Sequence, residues 1–307
     1  MCKTHFRTNN LHSILFIINI YADGVKVSSV IFINNLVRSQ SKLYLCEKHY
    51  KDMEKQYIKK IEIKGFWGKK DVCWNNIHQD VNIVVGINGS GKTTMLNMMA
   101  AYYKEDSKEL KKYQGVIIGT PKAGETYPIT YIRSYDVPVA DKRKSESPLM
   151  QELNYVVFQN KEGNSFFNYR MKMLDFPERG NEINRNIKEL FEVINTMFKD
   201  TNKQISISNS TLVFNQEGTE IALEQLSSGE KQLLLILLKV FLMEKKPGIL
   251  FMDEPEISLH VSWQQQLIEA IRKLNNQCQI ILTTHSPSIF AKGWMNELVF
   301  MEDLNVK

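Results

Sequence analysis

The chain has 307 residues, 43% hydrophobic and 24% charged, which provides for a folded core and excludes a disordered polar chain. Its net charge is +5, but residues 1–52 hold seven Lys/Arg against three Asp/Glu, and the rest holds 32 basic against 31 acidic residues. Composition therefore gives almost no support for a polyanionic partner. Four scattered cysteines without a C-x-x-C pair indicate reduced thiols in a cytoplasmic protein, with neither a metal centre nor disulfides. The apolar run Ile14–Ile18 is too short to span a bilayer, so no membrane attachment is expected.

Residues 1–52 differ from the rest of the chain, since they are rich in Asn, Ile and Ser and show no motif or helical period. We predict that the native protein starts at Met53 and that residues 53–307 form the main domain. The alternative is a genuine N-terminal extension with a short hairpin. From Ile58 to Ile63 apolar and charged residues alternate, which predicts a strand with one exposed face, and Asp71–Trp74 is predicted to return beside it.

A phosphate-binding pattern, G-x-x-x-x-G-K-[ST], occupies Gly86–Thr93, between the β-branched strand Val81–Val85 and the helix-forming stretch Thr94–Ala101. Glycines let backbone N–H groups close around phosphate oxygens, and the following helix turns its positive end toward the same anion. Lys92 brings an ammonium to the β- and γ-phosphates, and Thr93 offers a hydroxyl to Mg²⁺. The predicted nucleotide-binding residues here are Gly86, Asn88, Gly89, Ser90, Gly91, Lys92, Thr93 and Thr94.

Two aromatic residues precede this loop, and either Phe66 or Trp67 is placed to stack on adenine; the alternative is an aromatic ring that only packs the core. The predicted elements that follow are strands at Gly115–Gly119 and Pro128–Arg133, helices over 148–200 and two or three short strands within Gln204–Leu223. The polar loop Asp136–Ser147 contains Lys142-Arg143-Lys144, which either touches a phosphate backbone or is simply solvated.

A second anion site is predicted at Leu226–Gln232, where small residues precede the very apolar helix Leu233–Leu242. The residues concerned are Ser227, Ser228 and Gly229. An ordinary helix cap is the alternative interpretation of the same residues.

Two adjacent carboxylates end the apolar strand Gly248–Glu254, at the strand end where ligands bind in open α/β sheets. Asp253 is the predicted Mg²⁺ ligand, and Glu254 is predicted to orient and polarise the attacking water. A helix at Val261–Leu274 and another buried strand then lead to His285, which is placed either to sense the γ-phosphate or to lie at the core edge.

The order and spacing of these pieces resemble the ABC-type ATPase superfamily. Its phosphate loop, signature loop, Mg²⁺-binding strand and switch histidine match residues 86–93, 226–232, 249–254 and 285. The sequences of Asp253–His260 and Thr284–Pro287 are similar to those of the RecF/SMC/OLD-like branch. This branch includes stand-alone ATPases of bacterial anti-phage systems of the Septu and retron-linked types. The resemblance covers roughly residues 57–302.

This resemblance implies an α/β, ABC-ATPase-like P-loop fold, with a mixed central sheet, an antiparallel β part and an inserted helical arm at roughly 136–203. It further implies a homodimer in which ATP lies between two head-to-tail copies. Ser227 and Gly229 of one copy would then meet the γ-phosphate held by Lys92 of the other, with Ser258–His260 crossing the interface.

The chain departs from the family pattern in three places. Ser228 stands at a usual glycine and Glu230 at a usual glutamine, and both variants occur in the branch. The family's coupling glutamine has no counterpart after Pro128–Arg133, so Ser134 or Asp136 would have to do its work. The segment between Lys92 and Ser227 is too short for a long coiled-coil arm.

Together these features predict a cytoplasmic ATPase that uses ATP and Mg²⁺, with Glu254, Lys92 and His285 as catalytic residues. The chain ends soon after His285, so we expect no nuclease domain of its own and instead a separately encoded, nuclease-type effector gated in phage defence. The alternatives are a RecF-type DNA-repair ATPase, which leaves DNA or RNA open as a partner, and the nucleotide-binding subunit of a transporter.

Overall fold

The computed structural model describes residues 4–7, 14–22, 25–33, 55–135, 146–158, 164–208 and 211–306. It divides the chain into two units, Met1–Lys55 and Gln56–Lys307. The first contains an antiparallel sheet in the order β1 (Thr4–Arg7), β2 (Ile14–Ala22) and β3 (Val25–Ile33). Strands β2 and β3 pair from Ile14 opposite Ile33 to Ala22 opposite Val25. The native start at Met53 stays a prediction.

A five-stranded parallel sheet forms the centre of the second unit, in the order β14-β6-β13-β12-β8. Its strands are β6 (Val81–Val85), β8 (Ile129–Ile132), β12 (Gly248–Asp253), β13 (Cys278–Thr283) and β14 (Leu298–Phe300). Strands β12 and β13 are buried along their whole length, which explains their near-continuous apolar sequences. Because neighbouring strands run parallel, their carboxyl ends meet at one edge.

An antiparallel sheet accompanies the parallel one, in the order β15-β5-β4-β7. Its strands are β4 (Lys60–Phe66), β5 (Lys70–Trp74), β7 (Val116–Thr120) and β15 (Asn305–Val306). On β4, Ile61 and Ile63 are fully buried whereas the charged residues between and beside them reach solvent, as their alternation predicts.

Helix α1 (Lys92–Tyr103) packs between these two sheets, and the short α2 (Ser107–Leu110) follows it. Alternation along the buried strands divides their side chains between two cores. On β12, Ile249 and Phe251 join α1 and the antiparallel sheet, whereas Leu250 and Met252 face the opposite core. Helix α1 is apolar around most of its circumference because both sheets cover it.

The helical segment predicted after β8 contains α3 (Pro148–Phe158), α4 (Phe166–Asp175) and α5 (Gly180–Met197). It leads into a small antiparallel sheet of β9 (Lys203–Ser208), β10 (Thr211–Gln216) and β11 (Thr219–Ile221). Helices α6 (Ser228–Phe241), α7 (Val261–Leu274) and α8 (Pro287–Phe290) complete the unit. The indole of Trp263 on α7 donates to the carbonyl of Met197 over 2.6 Å and stacks on Phe198. This contact joins the end of the helical segment to the start of α7.

Candidate functional site

The predicted phosphate loop lies at the carboxyl edge of the parallel sheet, between the end of β6 and the start of α1. Gly91 has φ +106°, and a Cβ there would lie 2.7 Å from a ring carbon of Phe66. Only glycine therefore fits between the loop and the antiparallel sheet. The free backbone N–H groups at the start of α1 provide the anion-binding geometry that the pattern predicts.

Lys92 is 4% exposed and extends back across the loop. Its Nζ donates to the carbonyls of Gly86 (3.0 Å) and Ile87 (3.3 Å) and lies 2.7 Å from Nε2 of His285. Burial lowers the pKa of Lys92, and the neighbouring carboxylates of Glu254 and Asp253 oppose that shift. The ammonium is thus held over the loop by contacts that a phosphate can replace.

Asp253 ends β12 and is 3% exposed. Its Oδ1 accepts hydrogen bonds from the hydroxyls of Thr93 (3.0 Å) and Thr283 (2.6 Å). A carboxylate oxygen beside a threonine hydroxyl is a hard-oxygen donor set of the kind that Mg²⁺ takes together with substrate phosphates. The positions and chemistry of Thr93 and Asp253 therefore fit the predicted role of these two residues as Mg²⁺ ligands.

Glu254 follows with φ 46°, outside the strand, and its N–H donates to the carbonyl of Thr283 over 3.1 Å. This turn explains how two adjacent acidic side chains serve one site: Asp253 contacts Thr93, whereas Glu254 Oε1 lies 3.4 Å from Nε2 of His285. Burial raises the pKa of Glu254, the charge of Asp253 adds to the rise, and His285 opposes it.

A cavity of about 440 Å³ lies over these groups. It is lined by Trp67, Asn88, Gly89, Gly91, Lys92, Thr93, Thr94, Glu254 and His285. Phe66 is fully buried under the loop, whereas Trp67 is 38% exposed and stacks on it with centroids 4.8 Å apart. Of the two aromatic candidates, Trp67 is therefore the one available to a base, and Phe66 belongs to the core.

The signature residues form a separate feature at the start of α6. Ser227 Oγ accepts from the N–H of Glu230 (3.3 Å) while Glu230 accepts from the N–H of Ser227 (2.8 Å), a reciprocal helix cap. Gly229 packs so closely on the loop after β12 that a Cβ would lie 2.2 Å from the carbonyl oxygen of Ser258. Ser227 and Ser228 are exposed, and neither lines the cavity over Lys92.

Sequence reasoning missed two supporting residues. Thr283, which holds Asp253, was available as a polar residue at the end of a predicted buried strand. Lys203, which pairs with Glu230 over 2.6 Å, had no sequence signal because the two are brought together only by folding. Ser134 follows β8, while Asp136 and Lys142–Lys144 lie outside the described residues. Among the described residues, no helix has the length and apolar character to cross a bilayer.

Comparison with known proteins finds relatives whose names refer to Septu and retron systems. The Septu protein PtuA of Bacillus thuringiensis is 23% identical over 315 residues, covering 81% of this chain and 77% of PtuA. "Retron Vc95 probable ATPase" of Vibrio cholerae serotype O1 biovar El Tor is 23% identical over 232 residues, 67% of this chain. The match spans only 43% of that retron protein.

The fold is that of an SMC head. The structure of an SMC head bound to the C-winged helix domain of ScpA superposes with a TM-score of 0.52 at 14% identity, covering 77% of this chain and 92% of the head. At that identity the likeness shows the fold alone.

A family match supplies the remaining identification. Residues 129–291, just over half of the chain, match the family described as "AAA domain, putative AbiEii toxin, Type IV TA system". The matched part contains the signature helix, the acidic pair and His285 and begins after the phosphate loop. The chain therefore belongs to this AAA-domain family and is a P-loop ATPase of the ABC/SMC type, similar to ATPases of defence systems.

Proposed function

We propose that this chain hydrolyses ATP to ADP and phosphate in the cavity over Lys92. The observation that carries the proposal is that Lys92, Glu254 and His285 meet in one cavity, with Thr93 and Asp253 hydrogen-bonded beside them. The ammonium can bind the phosphates, the carboxylate with its raised pKa can accept a proton from the attacking water, and the imidazole can donate to the γ-phosphate.

The loop N–H groups bind the phosphates, and Lys92 exchanges its contact with His285 for the β- and γ-phosphate oxygens. Glu254 accepts a proton from the attacking water, whose oxygen bonds to the γ-phosphorus as the bond to the β–γ bridging oxygen breaks. His285 donates to a γ-phosphate oxygen, and Trp67 stacks on adenine. Mg²⁺, held by Thr93 and Asp253, would supply charge neutralisation at the phosphate oxygens.

The functional unit we propose is a head-to-tail homodimer. Ser227, Ser228 and Gly229 stand at the start of a helix, a geometry that binds anions, yet the two exposed serines do not line the cavity of their own chain. A second copy can bring these residues to the γ-phosphate, with Ser258 beside them through its contact with Gly229. Closure would then depend on ATP, and opening on hydrolysis.

In the cell, we propose that this cycle acts in the cytoplasm as a gate on a separately encoded nuclease-type effector in phage defence. The similarity to Septu PtuA and a retron ATPase supports this role. Purification of the natural complex tests it: co-purification of a nuclease supports the role, and a complex with membrane-embedded subunits contradicts it.

The Glu254→Gln variant tests the hydrolytic proposal. We expect ATP binding to persist while turnover falls on the order of 10²–10³-fold, because the proton acceptor is lost and the binding groups remain. We also expect ATP to trap the dimer, measured by light scattering after size exclusion. The matched control is Glu269→Gln on the exposed face of α7, which should behave as wild type. Normal hydrolysis by Glu254→Gln would remove Glu254 from the mechanism.

A further inference from the structure

The loop that carries His285 is held by a third carboxylate of the acidic segment. Glu256 Oε1 accepts a hydrogen bond from the hydroxyl of Thr284 (2.7 Å) and another from the backbone N–H of His285 (2.8 Å). Thr284 is completely buried, so this contact fixes the backbone just before the imidazole. Charge-assisted hydrogen bonds of this kind are about twice as strong as neutral ones.

Packing alone does not determine where the imidazole lies. The side chain of His285 is 34% exposed, and its ring contacts are polar: Nε2 lies 2.7 Å from Nζ of Lys92 and 3.4 Å from Oε1 of Glu254. A side chain in this situation takes its position from its backbone, and that backbone N–H is bound by Glu256. Glu256 therefore holds the backbone from which the ring reaches both groups.

A second contact ties the same loop to the segment that follows β12. Ser286 Oγ donates to Oε1 of Gln264 (2.6 Å), and Nε2 of Gln264 donates to the carbonyl of Leu259 (2.9 Å). Glu256 and Leu259 are themselves joined by a backbone hydrogen bond of 2.9 Å. The His285 loop is thus attached to residues 256–264, with Glu256 at the point nearest the ring.

One oxygen of the Glu256 carboxylate is buried without a hydrogen bond from the part of the chain that the structure describes, which costs folding free energy. Glu256 Oε2 is buried and, among the described residues, has no hydrogen-bond partner. An unsatisfied buried oxygen is unfavourable and is uncommon in native proteins. Both hydrogen bonds from the His285 loop go to Oε1, so the carboxylate is used on the side that faces this loop.

We propose that Glu256 is a positioning residue for His285, which it holds against Lys92 and Glu254 for γ-phosphoryl transfer. This inference rests on the proposed ATP hydrolysis. Glu256 acts through the histidine, and its contacts place it outside the cavity lining.

Three variants test the inference. Glu256→Ala should lower kcat on the order of 100-fold, because misplacing a reacting group by about 1 Å has effects of that size. Its Kd for ATP should stay within about threefold of wild type, since the binding groups are untouched. Glu256→Gln keeps a carbonyl oxygen facing both donors, so its kcat should recover to within about fivefold of wild type. Glu269→Ala on α7 is the matched control and should leave kcat unchanged.

A double-mutant comparison distinguishes positioning from general structural support. In a His285→Ala background, Glu256→Ala should lower kcat no further, because the group it positions is already absent. Losses that multiply would overturn the proposal, as would a Glu256→Ala protein with wild-type kcat. Thermal unfolding of each variant shows whether the fold is retained, and the Glu256→Gln variant keeps the test decisive if alanine fails to fold.

A readout without nucleotide separates this inference from the proposed function. NMR signals of the His285 ring, assigned by their loss in His285→Ala, should shift and broaden in Glu256→Ala and stay near wild type in Glu256→Gln. Unchanged ring signals in Glu256→Ala would overturn the inference even if the wild type hydrolyses ATP. Absence of ATP turnover in the wild type would instead remove the proposed function, whatever the ring signals show.

Discussion

The phosphate-loop half of this molecule and its signature half are built differently. In the first, side chains from β6–α1, β12 and β13 converge within hydrogen-bond distance of one another around a cavity. In the second, Ser227 and Ser228 are exposed at the start of α6, where Ser227 exchanges hydrogen bonds with Glu230 and Glu230 pairs with Lys203.

The difference teaches how much of a site one chain can assemble. Parallel strands bring their carboxyl ends to one edge whatever the lengths of the connections, so Lys92, Asp253 and His285 meet without a partner. Ser227 and Ser228 do not line the cavity at that edge, and in the proposed dimer they contribute to the cavity of the second copy. Under this proposal the phosphate-loop half makes its contacts within one chain, whereas the signature half acts only when two copies assemble.

The largest expected effect is a complementation between the two halves. Lys92→Ala alone, or Ser227→Arg alone, should lower ATP turnover on the order of 10²–10³-fold. Mixed in equal amounts, they should recover about a quarter of wild-type activity, because half of the dimers are mixed and each has one intact composite site. Steady-state phosphate release measures the recovery.

The control for this mixture is a protein carrying both substitutions in one chain, mixed with Lys92→Ala, which should recover nothing. Ser227→Arg also removes a helix cap, at about 1 kcal/mol, so thermal unfolding should accompany the assay. If the mixture of single variants stays inactive although both fold, the two-copy site is wrong.

A smaller effect should come from the ion pair that supports the signature cap. The side chain of Glu230 is 3% exposed, and Lys203→Met leaves its carboxylate buried without its cation, which should lower the free energy of unfolding by roughly 3 kcal/mol. Lys203→Met/Glu230→Gln should recover much of this loss. Lys199→Met, an exposed neighbour, is the control. Denaturant unfolding measures all three.

The sign of the pH dependence follows from Glu230. Burial alone would raise its pKa, but hydrogen bonds from Lys203 and from Ser227 outweigh burial and hold the pKa below its ordinary value. The stabilisation is therefore present at neutral pH and is lost as the pH falls through that depressed pKa. A stability difference between wild type and Lys203→Met that persists after Glu230 is protonated would contradict this assignment.

The smallest effect should come from Trp67. Trp67→Ala should weaken ATP binding roughly tenfold, since stacking on an aromatic ring is worth about 1–3 kcal/mol per base. Binding of inorganic tripolyphosphate should not change, because the loop and Lys92 are intact. Trp67→Phe is the conservative control. Equal weakening of both ligands would place Trp67 in support of the loop and not on the base.

Much of the fold was predictable because its signals are local. Helix α7 begins and ends where its periodicity predicts, and α5 is observed at Gly180–Met197 against a predicted Glu182–Phe198. The phosphate-loop residues, Asp253, Glu254 and His285 were each predicted from a pattern within a few residues of themselves, and the structure brings their side chains together. No local pattern could show which of Phe66 and Trp67 is free to stack on adenine, because that depends on which ring the start of α1 covers.

By itself, the sequence determined the elements and the types of chemical group at their ends, because periodicity, glycine positions and strand-terminal charges act over short stretches. Only the tertiary structure decided that Thr283 holds Asp253, that Glu256 holds the His285 loop and that Lys203 holds Glu230. Those contacts join residues far apart in the chain or on opposite sides of a turn. They depend on strand order and helix packing, for which no local pattern carries a signal.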